Sequence, residues 1–524
     1  MREIIQNIIF PQNAMSITSY IFWLFLIVSL LVYYVFPRKL QWVVLLVTSI
    51  FFFGLSCELY TGIYLLITIF ATYVCANKMI LETDQLKAKK WLIIGIVIDA
   101  GILIVLKYSN FGIENVNVLF SVFGLKKQIS HISWLAPLGI SYYTMQVIAY
   151  LVDVYGGVVK PEKNILKTAL FIGYYPQLTS GPIAKFAEMK DQLYSGHKLE
   201  IDKIAYGCQR ILWGVFKKIV ISARLGVIVD TIYSDTVKYQ GIYIWIAAAA
   251  FLVQLYTDFS GCMDIVLGAS ECYGIILPEN FRTPFFAKTV QEFWQRWHIT
   301  LGGWLRDYIM YPVLRSNAMR KLNRKLKSKY GKKIASEIST YIAMFIVWLM
   351  FGLWHGGAWK FILGEGMMCY LCIVFGKLFE PLLKKVVESL KINTECFSWR
   401  LFQSIRTFAL MSVANMFFRL GTFGETITNI KRGIMTWNPW ILFDGSLYKL
   451  GVNEKNCRLL FISVIVLFVV DLLETKENED IRKLLKKQNC LFRWICIWII
   501  MTVALVCGMY GPEFDATNFI YGVF

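Results

Sequence analysis

Residues 19–36 read SYIFWLFLIVSLLVYYVF, an apolar stretch without a single charged side chain. A helix needs about 20 apolar residues to cross the hydrocarbon core of a bilayer, so this stretch predicts a membrane span. Similar blocks recur at 40–54, 59–76, 91–106, 242–256, 339–353, 363–374, 459–473 and 491–509, with weaker ones at 135–151, 169–178, 204–229 and 402–418. The sequence therefore predicts an all-α polytopic membrane protein with about 11–14 membrane segments, including short or re-entrant helices.

The charge distribution fits a membrane protein. Only 17% of the residues are charged, against about 25% in a soluble domain. The formal net charge is +19, and Lys and Arg concentrate in residues 315–333, which therefore lie on the cytoplasmic side and are placed to contact anionic lipid headgroups. Aromatic and basic residues do not alternate as they do in a single-stranded nucleic-acid groove, so we expect no nucleic-acid partner.

The organisation indicates one membrane domain over residues 1–524, with peripheral C-terminal spans at 459–473 and 491–509. We find no soluble domain of useful size and no cleavable signal peptide, and the true start is either Met1 or Met15. The 12 cysteines fall mostly within apolar blocks, as small buried hydrophobes do. Cys369 and Cys372 form a lone CxxC without a nearby histidine, so we expect no metal site.

The four histidines divide into two kinds. His131 and His197 lie in polar loops, where solvated roles are expected. His298 lies in QEFWQRWHITL at 291–301, where helical spacing places Trp294 and His298 on one face, and the glycine pair at 302–303 weakens the helix that follows. The stretch is compatible with an interfacial helix anchored by aromatic residues or with a functional site.

His355 is a lone imidazole in the apolar stretch WLMFGLWHGGAW at 348–359. One interpretation is a histidine hydrogen-bonded to a carbonyl of a neighbouring helix. The other is a general base, because an ordinary imidazole pKa of about 6.5 suits proton removal from a hydroxyl at neutral pH. The adjacent glycines would let a thioester or an acyl chain approach the backbone closely.

Carboxylates inside apolar blocks are the remaining polar signal. Asp258 and Asp264 fall in one such block, and isolated acids occur at Asp99, Asp153 and Glu365. Acids within membrane segments usually pair with cations or hydrogen-bond donors, and Arg296 or Arg306 are the partners that we expect. The chain has no HExxH, P-loop, GxSxG or dinucleotide-binding motif, which argues against a serine-hydrolase mechanism within it.

Several of these stretches resemble one family. FWQRWHITL at 293–301, followed by WLRDY at 304–308, resembles the FWxRWHxSLxxWxRDY motif of membrane-bound O-acyltransferases. LWHG at 353–356, DFSG at 258–261 with Asp264, and the stretches 137–143 and 175–183 are similar to other family motifs in the same order, over a core of about 137–360. The resemblance is closest to the bacterial branch of alginate-type polysaccharide O-acetyltransferases and teichoic acid D-alanyl-transfer proteins. GG at 302–303, YPVL at 311–314 and Cys262 depart from the common motifs and leave the subfamily open.

The resemblance implies a ring of helices around a central tunnel, with His355 and His298 as the catalytic histidines. It also implies the following substrate or tunnel residues: Trp294, Arg296, Trp297, Arg306, Asp307, Asp258, Ser260, Asp264, Trp354 and Gly356.

The resemblance further implies a multi-pass protein of the cell membrane that passes an acyl group, acetyl in the first instance, across it. The donor would be a cytoplasmic thioester, either acetyl-CoA or the phosphopantetheine of an acyl carrier protein, and no cofactor would be bound. The acceptor would be an extracytoplasmic glycan hydroxyl or a separate acyltransferase partner protein. Two alternatives stay open: D-alanyl transfer to teichoic acid from a carrier protein, and a non-enzymatic polysaccharide transporter or export subunit with a polar path.

Overall fold

The computed structural model of the protein describes residues 15–179 and 181–510, and within them helices dominate. The α-helices are α1 (Tyr20–Val35), α2 (Gln41–Ser56), α3 (Gly62–Leu81), α4 (Gln85–Val122), α5 (Ile140–Tyr155), α6 (Ile165–Gly173), α7 (Tyr175–Leu178), α8 (Phe186–Tyr194), α9 (Ile201–Val215), α10 (Ala223–Ser234), α11 (Ile242–Cys272), α12 (Val290–Arg296), α13 (Ile299–Leu305), α14 (Tyr311–Arg315), α15 (Asn317–His355), α16 (Met367–Leu378), α17 (Glu380–Ser389), α18 (Phe397–Arg419), α19 (Phe423–Met435), α20 (Glu454–Glu477), α21 (Ile481–Lys486) and α22 (Cys490–Cys507). π-Helical turns occupy Phe216–Ser222, Arg306–Met310 and Lys360–Gly366.

Within the described chain, 8 helices are long and apolar enough to cross a membrane. They are Arg38–Ser56, Leu59–Leu81, Gln85–Val122, Ile242–Cys272, Asn317–His355, Lys360–Leu378, Glu454–Glu477 and Cys490–Cys507. α1 is a shorter apolar helix, of the kind anticipated for the short segments. The prediction of an all-α polytopic membrane protein is confirmed.

The described residues form two compact units. The first contains residues 15–215 and 262–278, and the second contains 216–261 and 279–510. The assignment of 1–524 to a single domain stays a prediction. The choice between Met1 and Met15 as the start, and Ser180 in the motif stretch 175–183, involve positions outside the described residues.

The first unit is held by a cluster of buried hydroxyl groups. The Tyr273 hydroxyl lies 2.8 Å from that of Tyr175 and 2.5 Å from that of Ser29. The Tyr174 hydroxyl lies 3.0 Å from Ser270 Oγ. Because a hydroxyl both donates and accepts, these groups satisfy one another away from water and join α1, α7 and the C-terminal end of α11.

In the second unit, α15 is a hairpin of two helical arms. Gly331 has φ 82° and ψ 168°, a backbone conformation that only glycine adopts readily. Asn323 and Ser339 lie equally far from Gly331 along the chain, and Asn323 Nδ2 donates to Ser339 Oγ at 2.9 Å. In a straight helix these residues would be about 24 Å apart, so the basic arm before Gly331 folds back along the apolar arm that leads to His355.

The apolar arm of α15 crosses the π-helical turn Lys360–Gly366 at very short range. A Cβ atom on Gly352 would lie 2.6 Å from the Phe361 carbonyl oxygen, and one on Gly366 would lie 2.7 Å from that of Trp348. Backbone atoms therefore occupy the space of the missing side chains. This crossing holds the end of α15 against the turn that carries Glu365.

We expect Gly352→Ala to destabilise the protein by about 1–3 kcal/mol, because the added methyl group must displace backbone atoms. The matched control is Gly376→Ala in α16, where a Cβ meets nothing within 4 Å and alanine favours the helix by about 1 kcal/mol. Thermal unfolding of the purified proteins, followed by tryptophan fluorescence, measures both. Equal midpoints for the two variants would contradict the tight crossing.

Candidate active site

A cavity of about 520 Å³ lies in the second unit between α12, α13, α15 and α16. The lining residues that belong to α15 recur at helical spacing, so one face of the apolar arm lines the length of the cavity. Arg306 and Lys377 contribute cationic side chains, and both are exposed. The remaining lining residues are Gln291, Trp294, Gln295, His298, Ile299, Leu301, Gly302, Gly303, Leu305, Met310, Thr340, Met344, Val347, Trp348, Phe351 and Ile373.

His298 is held in the cavity wall by an unusual backbone and one asparagine. Its φ of 46° and ψ of 51° are left-handed, and it stands immediately before α13. Asn280 Oδ1 lies 3.2 Å from His298 Nδ1 and accepts hydrogen bonds from the backbone amide and hydroxyl of Thr300. Since an amide oxygen only accepts, Nδ1 of His298 carries the proton, and in the neutral ring Nε2 is the acceptor.

The surroundings of His298 are apolar and keep the ring neutral. The imidazole is 1% exposed and packs edge-on against Phe259, with ring centroids 4.9 Å apart. His298 lies outside the eight candidate spans, and burial lowers its pKa well below the usual range. His298 is therefore suited to accept a hydrogen bond rather than to carry a charge.

His355 ends α15 behind the aromatic wall of the cavity. The ring centroid of Phe351, a lining residue, is 4.2 Å from that of His355. The Trp354 ring packs edge-on against both histidines, with ring centroids 5.8 Å from His298 and 5.3 Å from His355. The structure thus brings the two expected catalytic histidines into contact with one indole ring.

Glu365 is a site residue whose role the sequence did not reveal. Its Oε2 lies 3.2 Å from Nδ1 of His355, an ion-pair distance, although the angle is not that of a straight hydrogen bond. Both side chains are almost fully buried. The available signal was an isolated acid between two glycines in an apolar block, but nothing in the spacing connected it with His355.

The acids of the DFSG stretch have partners other than the expected ones. Lys218 Nζ donates to Asp258 at 2.5 Å, and Lys217 Nζ donates to Ser260 Oγ at 2.9 Å. Both lysines are buried on the π-helical turn Phe216–Ser222. The expectation of Arg296 or Arg306 as partners was wrong. The segment that lies beside Asp258 in the structure is the π-helical turn Phe216–Ser222, rather than the motif at 293–308. The two lysines thus hold the part of α11 that carries Phe259, the residue that packs on His298.

Both arginines find acids near them in the chain. Arg296 bonds Glu292 at 2.7 Å, one helical turn earlier, and also contacts Thr283. Arg306 bonds the adjacent Asp307 at 2.9 Å. Asp264 belongs to the first unit, where it bonds Arg210 at 3.0 Å.

The helix expected through residues 294–300 is interrupted at Trp297, before Gly302 and Gly303. α12 ends at Arg296, Trp297 is extended, and α13 contains both Gly302 and Gly303. The break occurs because residues 281 and 297 form an antiparallel bridge. Trp294 still lines the cavity, but Trp297 is turned into the core.

The remaining candidates have packing roles. The Trp297 ring stacks on Phe293, with centroids 5.3 Å apart. Gly356 is required at its position, because a Cβ there would lie 2.5 Å from the Phe361 ring.

Of the loop histidines, His131 is exposed as expected, whereas His197 is half-buried and bonds the Tyr33 hydroxyl at 3.0 Å. The solvated role expected for His197 was therefore wrong.

These features define an integral membrane protein with a histidine-lined cavity inside its helices. Residues 158–417 match the model of the membrane-bound O-acyltransferase family. Residues 158–417 therefore carry the domain of this family, as the motifs around both histidines predicted.

Relatives with curated names are similar over much of the chain. A probable alginate O-acetylase of Azotobacter vinelandii is 32% identical over 65% of this chain and 64% of its own. A peptidoglycan O-acetyltransferase of Helicobacter pylori is 29% identical over 63% of this chain and 62% of its own. A teichoic acid D-alanyltransferase of Bacillus subtilis is 28% identical over 43% of this chain and 55% of its own. The chain thus spans just under two thirds of the length of the first of these relatives.

We expect Asp258→Asn to destabilise the protein by about 3–5 kcal/mol, because it leaves the buried Lys218 without its carboxylate. Asp307→Asn, which breaks the more exposed pair with Arg306, should cost less than about 1 kcal/mol. In a double-mutant cycle, Lys218→Met combined with Asp258→Asn should be less destabilised than the sum of the single variants. Strict additivity in thermal unfolding would show that the two side chains are not coupled.

Proposed function

We propose that the chain transfers an acetyl group from a cytoplasmic thioester to an extracytoplasmic hydroxyl, carried by a polysaccharide or by a partner protein. The observation that carries the proposal is the cavity of about 520 Å³ with His298 in its wall and His355 behind Phe351. Cavities of about 300–1,000 Å³ hold small-molecule substrates. Buried histidines beside such a cavity are suited to proton transfer.

The lining chemistry suits a phosphopantetheine thioester. Gln291, Gln295 and Thr340 offer amide and hydroxyl groups for the amides of the pantetheine arm, and Arg306 and Lys377 offer cations for its phosphate. Thr340 lies on α15 close to the basic residues 315–333, which the charge bias of membrane loops assigns to the cytoplasm. We therefore infer that the donor enters from the cytoplasm, as acetyl-CoA or on a carrier protein.

In the proposed reaction, His355 acts as the general base. It takes the proton of the acceptor hydroxyl, whose oxygen attacks the thioester carbonyl carbon. The new C–O bond forms, the C–S bond breaks, and the proton passes from His355 to the departing sulfur to give a free thiol. His298 positions the donor by accepting a hydrogen bond at Nε2, as its asparagine-fixed tautomer allows. Holding both reactants in one site supplies several kcal/mol of the barrier reduction.

The names of the relatives favour acetyl over D-alanyl. The two relatives whose names include O-acetylation match 65% and 63% of this chain, whereas the D-alanyltransferase matches 43%. We propose a glycan of the cell envelope as the final acceptor. A separate extracytoplasmic acyltransferase is the proposed relay, since the chain itself has no GxSxG nucleophile elbow.

The test compares cells that produce the wild type, His355→Ala or His298→Ala. Acetate and alanine released from the surface polymers by mild alkali are quantified together with the amount of exported polymer. Loss of the base should lower ester-linked acetate by about 100-fold or more while export continues. His131→Ala, which changes an exposed histidine, is the matched control and should leave the acetate unchanged.

Two outcomes would overturn the proposal. Alanine in place of acetate among the lost esters would contradict the acetyl assignment and favour the D-alanyl alternative. Unchanged ester content with loss of polymer export would contradict acyl transfer altogether and favour a transporter. Membrane insertion of each variant is checked in parallel.

A further inference from the structure

Glu365 and His355 form an isolated acid–base contact inside the second unit. Glu365 Oε2 lies 3.2 Å from His355 Nδ1, and the two side chains are 1% and 0% exposed. We propose that Glu365 is a positioning residue that fixes the tautomer and orientation of the His355 ring. The inference rests on the proposed acyl transfer and assigns a part in it to a residue outside the histidine motifs.

The backbone around Glu365 leaves its side chain little freedom. Glu365 lies on the π-helical turn Lys360–Gly366, whose extra residue per turn changes the direction in which this side chain points. A Cβ on Gly364 would lie 2.3 Å from the Phe417 ring, and the crossing at Gly352 and Gly366 is also tight. The carboxylate is therefore held where it stands by packing on both sides.

The cation of the same turn is engaged elsewhere. Lys360 Nζ donates to the carbonyl oxygens of Leu420 at 2.7 Å and Phe418 at 3.4 Å, at the C-terminal end of α18. These bonds satisfy carbonyls that a helix end leaves unpaired. The ammonium of Lys360 thus caps the C-terminal end of α18. In the described chain the ion-pair contact of Glu365 is with His355.

The chemistry of the contact determines which ring nitrogen acts as the base. A carboxylate at ion-pair distance from Nδ1 attracts an N–H and repels a lone pair, so Glu365 favours the tautomer with the proton on Nδ1 of His355. Nε2 then holds the lone pair that removes the proton of the acceptor hydroxyl. Once the ring is protonated on both nitrogens, the carboxylate stabilises its charge, and the apolar surroundings strengthen that attraction. The same logic applies to other catalytic histidines oriented by an acid.

The experiment uses everted membrane vesicles from cells that produce the full chain. Transfer of radiolabelled acetyl from acetyl-CoA to the polymer fraction is measured over a range of acetyl-CoA concentrations. Rates are expressed per amount of inserted protein, and the thermal midpoint of each purified variant is recorded. The variants are Glu365→Gln, Glu365→Asp and His355→Ala, with the exposed Glu337→Gln of α15 as the matched control.

A positioning role predicts a specific pattern of rates. Glu365→Gln should lower the maximal rate by about 100-fold or more and leave the KM for acetyl-CoA within about threefold, because the donor cavity is unchanged. Glu365→Asp keeps the carboxylate but withdraws it from Nδ1, so its maximal rate should fall about tenfold and exceed that of the glutamine variant. Glu337→Gln should match the wild type.

The outcomes separate this inference from the proposed function. If wild type and His355→Ala transfer acetyl equally, acyl transfer by His355 fails and the positioning role with it. If His355→Ala is inactive but both Glu365 variants keep the wild-type maximal rate, acyl transfer stands and the positioning role is wrong. If Glu365→Gln is not inserted, the aspartate variant decides: full wild-type rate per inserted protein would contradict positioning.

Discussion

The structure depends on a constraint of the membrane interior, where a polar side chain without a partner costs several kcal/mol. Polar side chains in the apolar stretches are met by side chains of other helical segments. Asp258 meets Lys218, Asp264 meets Arg210, and His355 meets Glu365. Each of these contacts requires its two helical segments to lie side by side at the point where the side chains meet. The close crossing at Gly352 supplies that approach for His355, so packing and chemistry are determined by the same few backbone positions.

In the proposed reaction the two histidines have different tasks, and both have an oxygen atom beside Nδ1. An oxygen atom lies 3.2 Å from Nδ1 of each ring: the amide oxygen of Asn280 for His298, and a carboxylate oxygen of Glu365 for His355. An amide oxygen fixes a tautomer without adding charge, whereas a carboxylate also stabilises the protonated ring. His298, neutral and in the cavity wall, is therefore suited to orient a substrate, and His355 to exchange a proton.

Much of the architecture could be predicted because apolar blocks and membrane spans obey the same length rule. Both histidines and their motifs were found for a related reason: isolated polar groups in apolar stretches are expensive and tend to be functional. The partners were not predictable. Lys217 and Lys218 lie in the weaker apolar block 204–229, and their burial on a π-helical turn follows from tertiary packing. The helix break at Trp297 likewise results from pairing with Phe281, a long-range contact that local propensity does not encode.

The proposed acyl transfer requires the thioester donor to bind in the cavity beside His298. The most direct measurement is a cryo-EM structure of the full chain saturated with a thioether analogue of acetyl-CoA that cannot be cleaved. We expect density for the pantetheine arm between Trp294 and Thr340, with the analogue's carbonyl directed toward His298 and His355. Density for the analogue elsewhere on the protein, with this cavity empty at saturation, would contradict it.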